Sequence, residues 1–341
     1  MNRRIYYKTT AVVAPIVSRR CSGYHCLRQY GSIKSSLSTA ASQLPVHETA
    51  TKGFTADSAS IYETGRPSYS EETLRYLMNV VFSRSGSTEG GDATFLELGA
   101  GTGKFTKSFL DFQAKSETQK EFPRLNQVKF TATEPSEGFR ESLVKSLNSH
   151  GYTVGSGSDT CGLEVAAAIG SAIPVENNSL DAVFVAQAFH WMANTETLQE
   201  VHRVLRPGCP LVMIWNSYDY SFDWLREVDE KILTPTYGED TPRQQTGRWR
   251  DCFDTDFGKA SFSHPVQTWE VPYTHHGTKQ TIVDRIMSTS VVVESTQEKQ
   301  QQILATLMNI LDTHADLAEA RASQKFGMNY ITEVAWVDRG E

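Results

Sequence analysis

Residues Phe95–Thr106 read FLELGAGTGKFT, an apolar run that ends in a glutamate and then packs three glycines into five residues. Gly99, Gly101 and Gly103 are spaced G-x-G-x-G. A dinucleotide fingerprint requires its third glycine where Lys104 stands. A phosphate-cradling loop ending in Gly103-Lys104 requires glycine at Leu98 and Ser or Thr at Phe105. Both patterns fail. The turn still brings backbone close to a ligand at the carboxyl end of a strand, where open α/β sheets bind. Glu97 sets a carboxylate just ahead of it, which repels a pyrophosphate and attracts an ammonium.

Outward from that turn, short apolar runs alternate with helical patterns. TFLEL (94–98) is followed by a helix opening at GKFTKSFLDF, and VKFTATE (128–134) by one over EGFRESLVKSLNS. LEVAAA makes a third strand. LDAVFVAQ (180–187) precedes a helix over 195–205 that Pro207-Gly208 stops, and PLVMIW (210–215) is apolar throughout. VQTWEVPY and MNYITEVAWVDR add two more strands. Near-continuous apolar strands alternating with helices predict an α/β fold, a doubly wound, mostly parallel seven-stranded sheet covered on both faces. Upstream, SEETLRYLMNVVF sets Leu74, Leu77, Met78, Val81 and Phe82 on one helical face behind a Ser70 cap. Residues 216–265 carry many aromatic residues without a period, and a helix bearing Ile303, Leu307, Ile310 and Leu311 follows. The span 216–290 is expected to cap the ligand crevice as an insertion; a satellite hydrophobic cluster is the alternative.

A second carboxylate, Glu134, ends the second strand ahead of Pro135-Ser136. An acid at that topological position accepts hydrogen bonds from two ribose hydroxyls. An adenosine with an amino-acid tail bearing an ammonium is S-adenosylmethionine, the cofactor this pair of carboxylates predicts.

The segments FLELGAGTGKFT, TATEPSEGF, IGSAIPVENNSLDAVFVAQAFHW and HRVLRPGCPLVMIW resemble the glycine motif, ribose acid, adenine segment and later strands of class I S-adenosylmethionine-dependent methyltransferases. The nearest likeness is to their type 11, trans-aconitate-methyltransferase-like small-molecule branch, and GFTADSASIYETGRPSYS resembles that branch's opening segment. The resemblance spans about residues 53–341, the expected methyltransferase domain. It implies that Glu97, Gly99, Ala100, Gly101, Thr102 and Gly103 hold the methionine portion and that Glu134 and Pro135 hold the ribose. It further implies that Ser171 and Ala172 lie beside the adenine, that Gln187 faces the sulfonium, and that Tyr62 and Arg66 fold over the cofactor. Two departures stand out: Ser171-Ala172 replaces the usual acid or amide, and the segment between Phe112 and Val128 is long and charged.

Methyl transfer from a sulfonium to an O, N or C acceptor is an in-line displacement, so the protein contributes chiefly alignment. His190, beside Trp191 at the crevice mouth, is the candidate general base, with a pocket-lining histidine as the alternative. Arg66 could also grip a carboxylate acceptor through two parallel hydrogen bonds. Two other classes compete: an NAD-dependent oxidoreductase, which Lys104 and Glu97 disfavour, and a methyltransferase-like binding or assembly protein.

The 341-residue chain has a formal charge of −7. Residues 1–47 hold Arg3, Arg4, Lys8, Arg19, Arg20, Arg28 and Lys34 and no acid, and removing those seven from 33 basic residues leaves 26 against 40 acidic ones, a body of −14. Such a body repels phosphate backbones and anionic membranes, which disfavours nucleic-acid and lipid partners. The basic, Ser-rich start reads as a mitochondrial matrix presequence over 1–42, followed by a linker over 43–52; a leaderless cytoplasmic protein is the alternative. Its apolar piece, AVVAPIV, is too short to span a bilayer. Cys21, Cys26, Cys161, Cys209 and Cys252 are scattered and odd in number, fitting a reducing compartment and no zinc cage. His275-His276 reads as a solvated loop pair, and no metal ligand set is expected.

Overall fold

The computed structural model describes residues 66–84, 92–155 and 162–341; the expected presequence, the linker and Tyr62 lie outside the described residues. The strands are β1 (Ala93–Leu98), β2 (Val128–Thr133), β3 (Gly162–Ala166), β4 (Ala182–Ala186), β5 (Pro210–Tyr218), β6 (Gln267–Gly277) and β7 (Phe326–Asp338). They form one sheet in the order β3-β2-β1-β4-β5-β7-β6. The first five are parallel, and β7 runs antiparallel between β5 and β6. The chain winds from β1 outward to β3 and then returns to set β4 beside β1. The strand order therefore reverses between β1 and β4, and a crevice opens at their carboxyl ends.

The longer helices are α1 (Glu71–Arg84), α2 (Lys104–Gln113), α3 (Glu137–Ser149), α4 (Thr195–Val204), α5 (Lys279–Met287) and α6 (Gln297–Thr313). Polar side chains start most of them. The Ser70 hydroxyl accepts from the Thr73 N–H at 3.1 Å, Asn194 caps α4 by accepting from the Thr197 N–H at 2.8 Å, and Thr278 forms a capping box with Thr281. These bonds satisfy first-turn N–H groups that the helix leaves open.

Each central strand sends alternate residues to opposite faces. Phe95, Phe130 and Phe184 meet Phe105 and Phe109 of α2, with α1 and Leu143 of α3 completing that cluster. Leu96, Val183, Met213 and Trp215 face the other way, against Leu198, Val201 and Val204 of α4. Because both faces are covered, β1, β4 and β5 need apolar residues on both sides, hence their lack of alternation. At the opposite end of the sheet from the crevice, Asp181 ties β4 to β1. Its backbone N–H donates to Thr94 O at 2.8 Å, its carboxylate accepts from the Thr94 N–H at 2.9 Å, and Arg124 and Arg206 pair with it.

The aperiodic stretch after β5 divides between two cores. Trp224, Leu225, Val228, Ile232 and Leu233 join α5, α6 and the start of β7 in a third cluster, whereas Trp249, Phe253 and Phe262 extend the α4 face. Within the expected cap span 216–290, residues 267–277 are the edge strand β6. His275 and His276 lie in that strand rather than in a loop. The charged segment after α2 folds into a short helix over Ser116–Glu121 and a turn over Pro123–Asn126 that leads into β2.

Phe109 is fully buried, its ring centroid 5.0 Å from that of Phe130 and 5.7 Å from that of Phe95. Phe109→Ala is expected to cost about 3–5 kcal/mol in urea unfolding. Leu304→Ala, at an exposed site on α6, is expected to stay within about 0.5 kcal/mol of wild type. Equal losses would show that the aromatic column is not the core.

Candidate functional site

At the end of β1 the chain must reverse from strand to helix within a few residues. Gly99, Gly101 and Gly103 do so at φ 70°, 58° and 88°, a left-handed region that side chains rarely adopt. The loop is pinned from below: the Ala100 N–H donates to Thr133 O and the Gly103 N–H to Ala100 O, each at 2.9 Å. A Cβ on Gly103 would lie 2.2 Å from Leu143 Cδ1 of α3, whereas a Cβ on Gly101 would meet nothing within 4 Å. Gly103 thus serves helix packing, and Gly101 presents bare backbone to the crevice.

Two carboxylates flank this turn. Glu97 is 1% exposed and accepts from the Thr106 hydroxyl at 2.5 Å. Burial, with a smaller push from the Glu134 charge, raises its pKa to about 8, against the opposing effect of the Thr106 bond. Glu134 is 8% exposed and accepts from the backbone N–H groups of Gly101 and Ser136, each at 3.0 Å. Burial pushes its pKa up as well, with those two bonds opposing. Pro135 holds its own carbonyl to Arg140 Nη1 at 2.6 Å, which steadies the chain after β2.

The crevice beside Gly99–Thr102 is closed by Arg66, Tyr69, Ala186, Gln187 and Arg285. Arg66, Gln187 and Arg285 also border a second cavity of about 260 Å³. Trp191, Trp215, Tyr218, Tyr220 and Tyr237 wall this chamber, with Asn216, Ser217, Gln244 and Asp229 among its polar groups. Gln187 therefore sits between crevice and chamber. It is held at φ 60°, its N–H donating to Ile214 O at 2.7 Å and its side-chain amide to Asn216 O at 3.3 Å. A non-glycine residue kept in that conformation at a ligand site signals strain supported by its surroundings. One chamber wall is fixed through β7: Arg250 pairs with Glu333 at 2.8 Å, Gln244 donates to the same carboxylate, and the Ser217 hydroxyl donates to Gln244 Oε1 at 3.0 Å.

His190 lines the chamber from a 3-10 turn just after β4, as its position in the sequence suggested, but its chemistry differs from that of a general base. The Trp215 indole N–H, which can only donate, points at His190 Nδ1 at 3.2 Å. The Nδ1 lone pair is thereby engaged, and the ring proton resides on Nε2. Burial, then the Arg66 charge, pushes the pKa down to about 3, so the ring is neutral and presents a donor. His202 packs between Phe257 and Phe262.

Ser171 and Ala172 form an exposed turn closed by the Ala172 N–H on Ile169 O at 3.1 Å, and neither borders the crevice or the chamber. That turn is fixed by Gly170, where a Cβ would lie 2.5 Å from Thr197 Oγ1 of α4. Arg285 was not legible as a site residue, and neither were the tyrosines of the chamber. The available signal was Arg285 itself, a charged residue three positions from Ile282 on the apolar stripe of α5, and it is buried. No group of three or more metal-ligating side chains occurs among the described residues.

A family described as a methyltransferase domain matches residues 96–213, which run from β1 into β5 and include the glycine turn, both carboxylates and Gln187. An uncharacterized methyltransferase of Mycobacterium tuberculosis is 29% identical over 274 residues, covering 80% of this chain and 89% of its own length. An uncharacterized methyltransferase-like protein of Schizosaccharomyces pombe is 28% identical over 263 residues, covering 77% and 87%. A solved structure assigned as a type II methyltransferase, from Anaeromyxobacter dehalogenans, superposes with a TM-score of 0.51 at 15% identity over 81% of this chain and 97% of that one, a likeness of fold. With the strand order of the sheet and the glycine turn between its two carboxylates, these likenesses give the chain a methyltransferase domain over residues 96–213, on a sheet with the fold of the class I S-adenosylmethionine-dependent methyltransferases.

Proposed function

We propose that this methyltransferase binds S-adenosylmethionine at the glycine turn and methylates a carboxylate oxygen of a small molecule held in the adjoining chamber. The observation that carries the acceptor assignment is the state of the chamber's bases. Among the described residues that line it, His190 has its lone pair engaged by Trp215, and Asp229 accepts from Tyr220 and Thr234, each at 3.0 Å. Burial raises the pKa of Tyr218 and Tyr237, which keeps them as phenols at neutral pH. A carboxylate oxygen carries a lone pair and no proton at neutral pH, so its methylation asks for none of these groups. A chamber of about 260 Å³ also suits a compact molecule rather than a polymer.

The residues at the turn fit the cofactor. Gly101 leaves open space where a side chain would stand, Glu97 would take the ammonium, and Glu134 would take the ribose hydroxyls. Tyr62 and Arg66 would cover it, and Ser171-Ala172 would flank the adenine at the rim. The cofactor supplies a methyl group on a sulfonium, whose departure needs no assistance. The chain's own contribution is placement: Gln187 and Asn216 fix the boundary between the two sites, and His190 offers an N–H to an acceptor oxygen. Alignment of this kind is worth on the order of 7–11 kcal/mol.

Glu97 stays protonated to about pH 8 in the free protein. An ammonium beside it favours the carboxylate, so binding expels a proton below that pH, and affinity rises with pH before levelling off above about 8. Calorimetry with S-adenosylhomocysteine in buffers of different ionisation enthalpy should read that proton, and Glu97→Gln should abolish both the release and the pH dependence while weakening binding about tenfold or more. The sign for stability is opposite. The fold keeps a proton that the unfolded chain loses in the ordinary glutamate range, so wild type loses stability as pH rises toward about 8 and Glu97→Gln does not. Affinity independent of pH in wild type would remove the ammonium assignment.

Gly101→Ala places a methyl group in the crevice without touching protein atoms. It should fold with a penalty of about 1–2 kcal/mol from its left-handed backbone and lose S-adenosylhomocysteine binding. Retained binding would show that the ligand does not approach the turn.

We also propose that residues 1–42 direct import into the mitochondrial matrix, on the strength of their basic, acid-free, Ser-rich composition. A fluorescent fusion of the full chain should enter mitochondria, and one lacking residues 1–42 should stay in the cytosol; mitochondrial location of the shortened fusion would refute import through this segment.

A further inference from the structure

Arg285 presents an electrostatic problem that the fold leaves open. Its side chain emerges from α5, is 8% exposed, and borders both the crevice and the chamber. Its immediate neighbours are neutral: Nη1 donates to the Thr289 hydroxyl at 3.3 Å, the Tyr330 hydroxyl also bonds to the guanidinium, and the guanidinium lies 5.0 Å from the centre of the Tyr218 ring. Its buried Nε has no hydrogen-bond partner, and no carboxylate forms an ion pair with it among the described residues. Burying a guanidinium without a counter-charge is costly, and a buried N–H without an acceptor adds to that cost. A second cation makes matters worse. Arg66 reaches the same wall, its Nη2 donating to Ser288 O at 3.2 Å. Asp229, the carboxylate among the chamber's described lining residues, is held by Tyr220 and Thr234.

We propose that Arg285 is the receptor for the acceptor's carboxylate, the residue that selects an anionic acid over its neutral analogues. This rests on the reading of the chamber as the acceptor site. The geometry separates the two arginines. Tyr218 and Thr289, which Arg285 touches, line the chamber and not the crevice, whereas Pro67 and Tyr69, beside Arg66 in sequence, line the crevice and not the chamber. A planar guanidinium whose buried Nε has no acceptor matches a carboxylate through parallel N–H donors, which an ammonium cannot reproduce. The apolar rings around it supply a dry setting in which that pairing is strong. Arg285 positions and selects the acceptor; it transfers no proton.

The test compares acids with their own amides. Benzoate, succinate and octanoate, each beside its neutral amide, are titrated into the full chain with and without S-adenosylhomocysteine. At least one acid should bind wild type ten times more tightly than its amide. Arg285→Gln should erase that preference, Arg285→Lys should restore part of it, and both should keep the wild-type circular dichroism spectrum and cooperative urea unfolding, which report that they fold. Equal binding of acid and amide by wild type, no binding of any acid, an undiminished preference in Arg285→Gln, or a loss that falls on S-adenosylhomocysteine instead would each overturn the proposal. Failure of wild type to bind S-adenosylhomocysteine at all would count against the cofactor assignment alone, because the acid and amide titrations without it still decide the role of Arg285.

Discussion

The hydrogen bond from the Gly101 N–H to the Glu134 carboxylate joins the ends of two adjacent parallel strands across the turn that forms the site. It works only because β1 and β2 stop in register, Leu98 opposite Thr133, and because the backbone at residue 101 can take a positive φ. The Ala100 N–H on Thr133 O and the Thr133 hydroxyl on Glu97 O, at 2.9 and 2.8 Å, join the turn to β2 as well. The Gly101 bond also brings two carboxylates close enough that the Glu134 charge raises the Glu97 pKa. Two buried acids are each unfavourable alone. They persist because the strands beneath them are buried on both faces, among Phe95, Phe130 and Phe184 on one side and Leu96 and Val183 on the other.

That dependence on local geometry explains which parts were legible in the sequence. Glu97, the glycines and Glu134 lie within one strand-turn-helix unit and the next strand, so linear spacing reports their placement. The strands were legible for a related reason: both-faced burial of β1, β4 and β5 leaves unbroken apolar runs, and the first half of β7, which alternates buried with half-buried residues, leaves an alternating one. The chamber is built differently. Its wall draws on residues near 66, 187–191, 215–220, 229–246 and 285–290, segments brought together only by the complete sheet and its overlying helices. No single window of sequence contains that information. The stretch after β5 lacked a period because its aromatic residues serve two separate cores, Trp224 facing one and Trp249 the other.

His190 illustrates a finer limit. Its position after β4 was readable, and its role was not, because that role is set by Trp215, twenty-five residues away on the neighbouring strand. An indole N–H has no acceptor capacity, so it fixes which imidazole nitrogen keeps the proton. The same strand residue thereby closes the aromatic wall and sets the proton of the neutral ring on Nε2. Gln187, between them in the sheet's terminal layer, carries its strained backbone at the point where crevice and chamber meet.

Charges of both signs meet at that boundary. Glu97 and Lys104 line the crevice, with Glu134 bonded to its glycine turn, Asp229 and Arg243 line the chamber, and Arg66 and Arg285 border both. Under the proposed function a sulfonium with an ammonium tail pairs with the crevice acids and an anionic acceptor with the arginines. Yet residues 48–341 together carry −14, so the distant field repels the molecule that the chamber attracts. Screening resolves the conflict, because beyond about 8–10 Å in physiological salt the surface charges contribute little, whereas a guanidinium inside an enclosed aromatic wall acts undiminished at contact distance. Under the proposed function, selection of the acceptor is therefore a short-range property of the chamber. An acid would then be recognised slowly and discriminated by release rather than by capture, since encounter is unassisted and the charge pair forms only after the acceptor has entered.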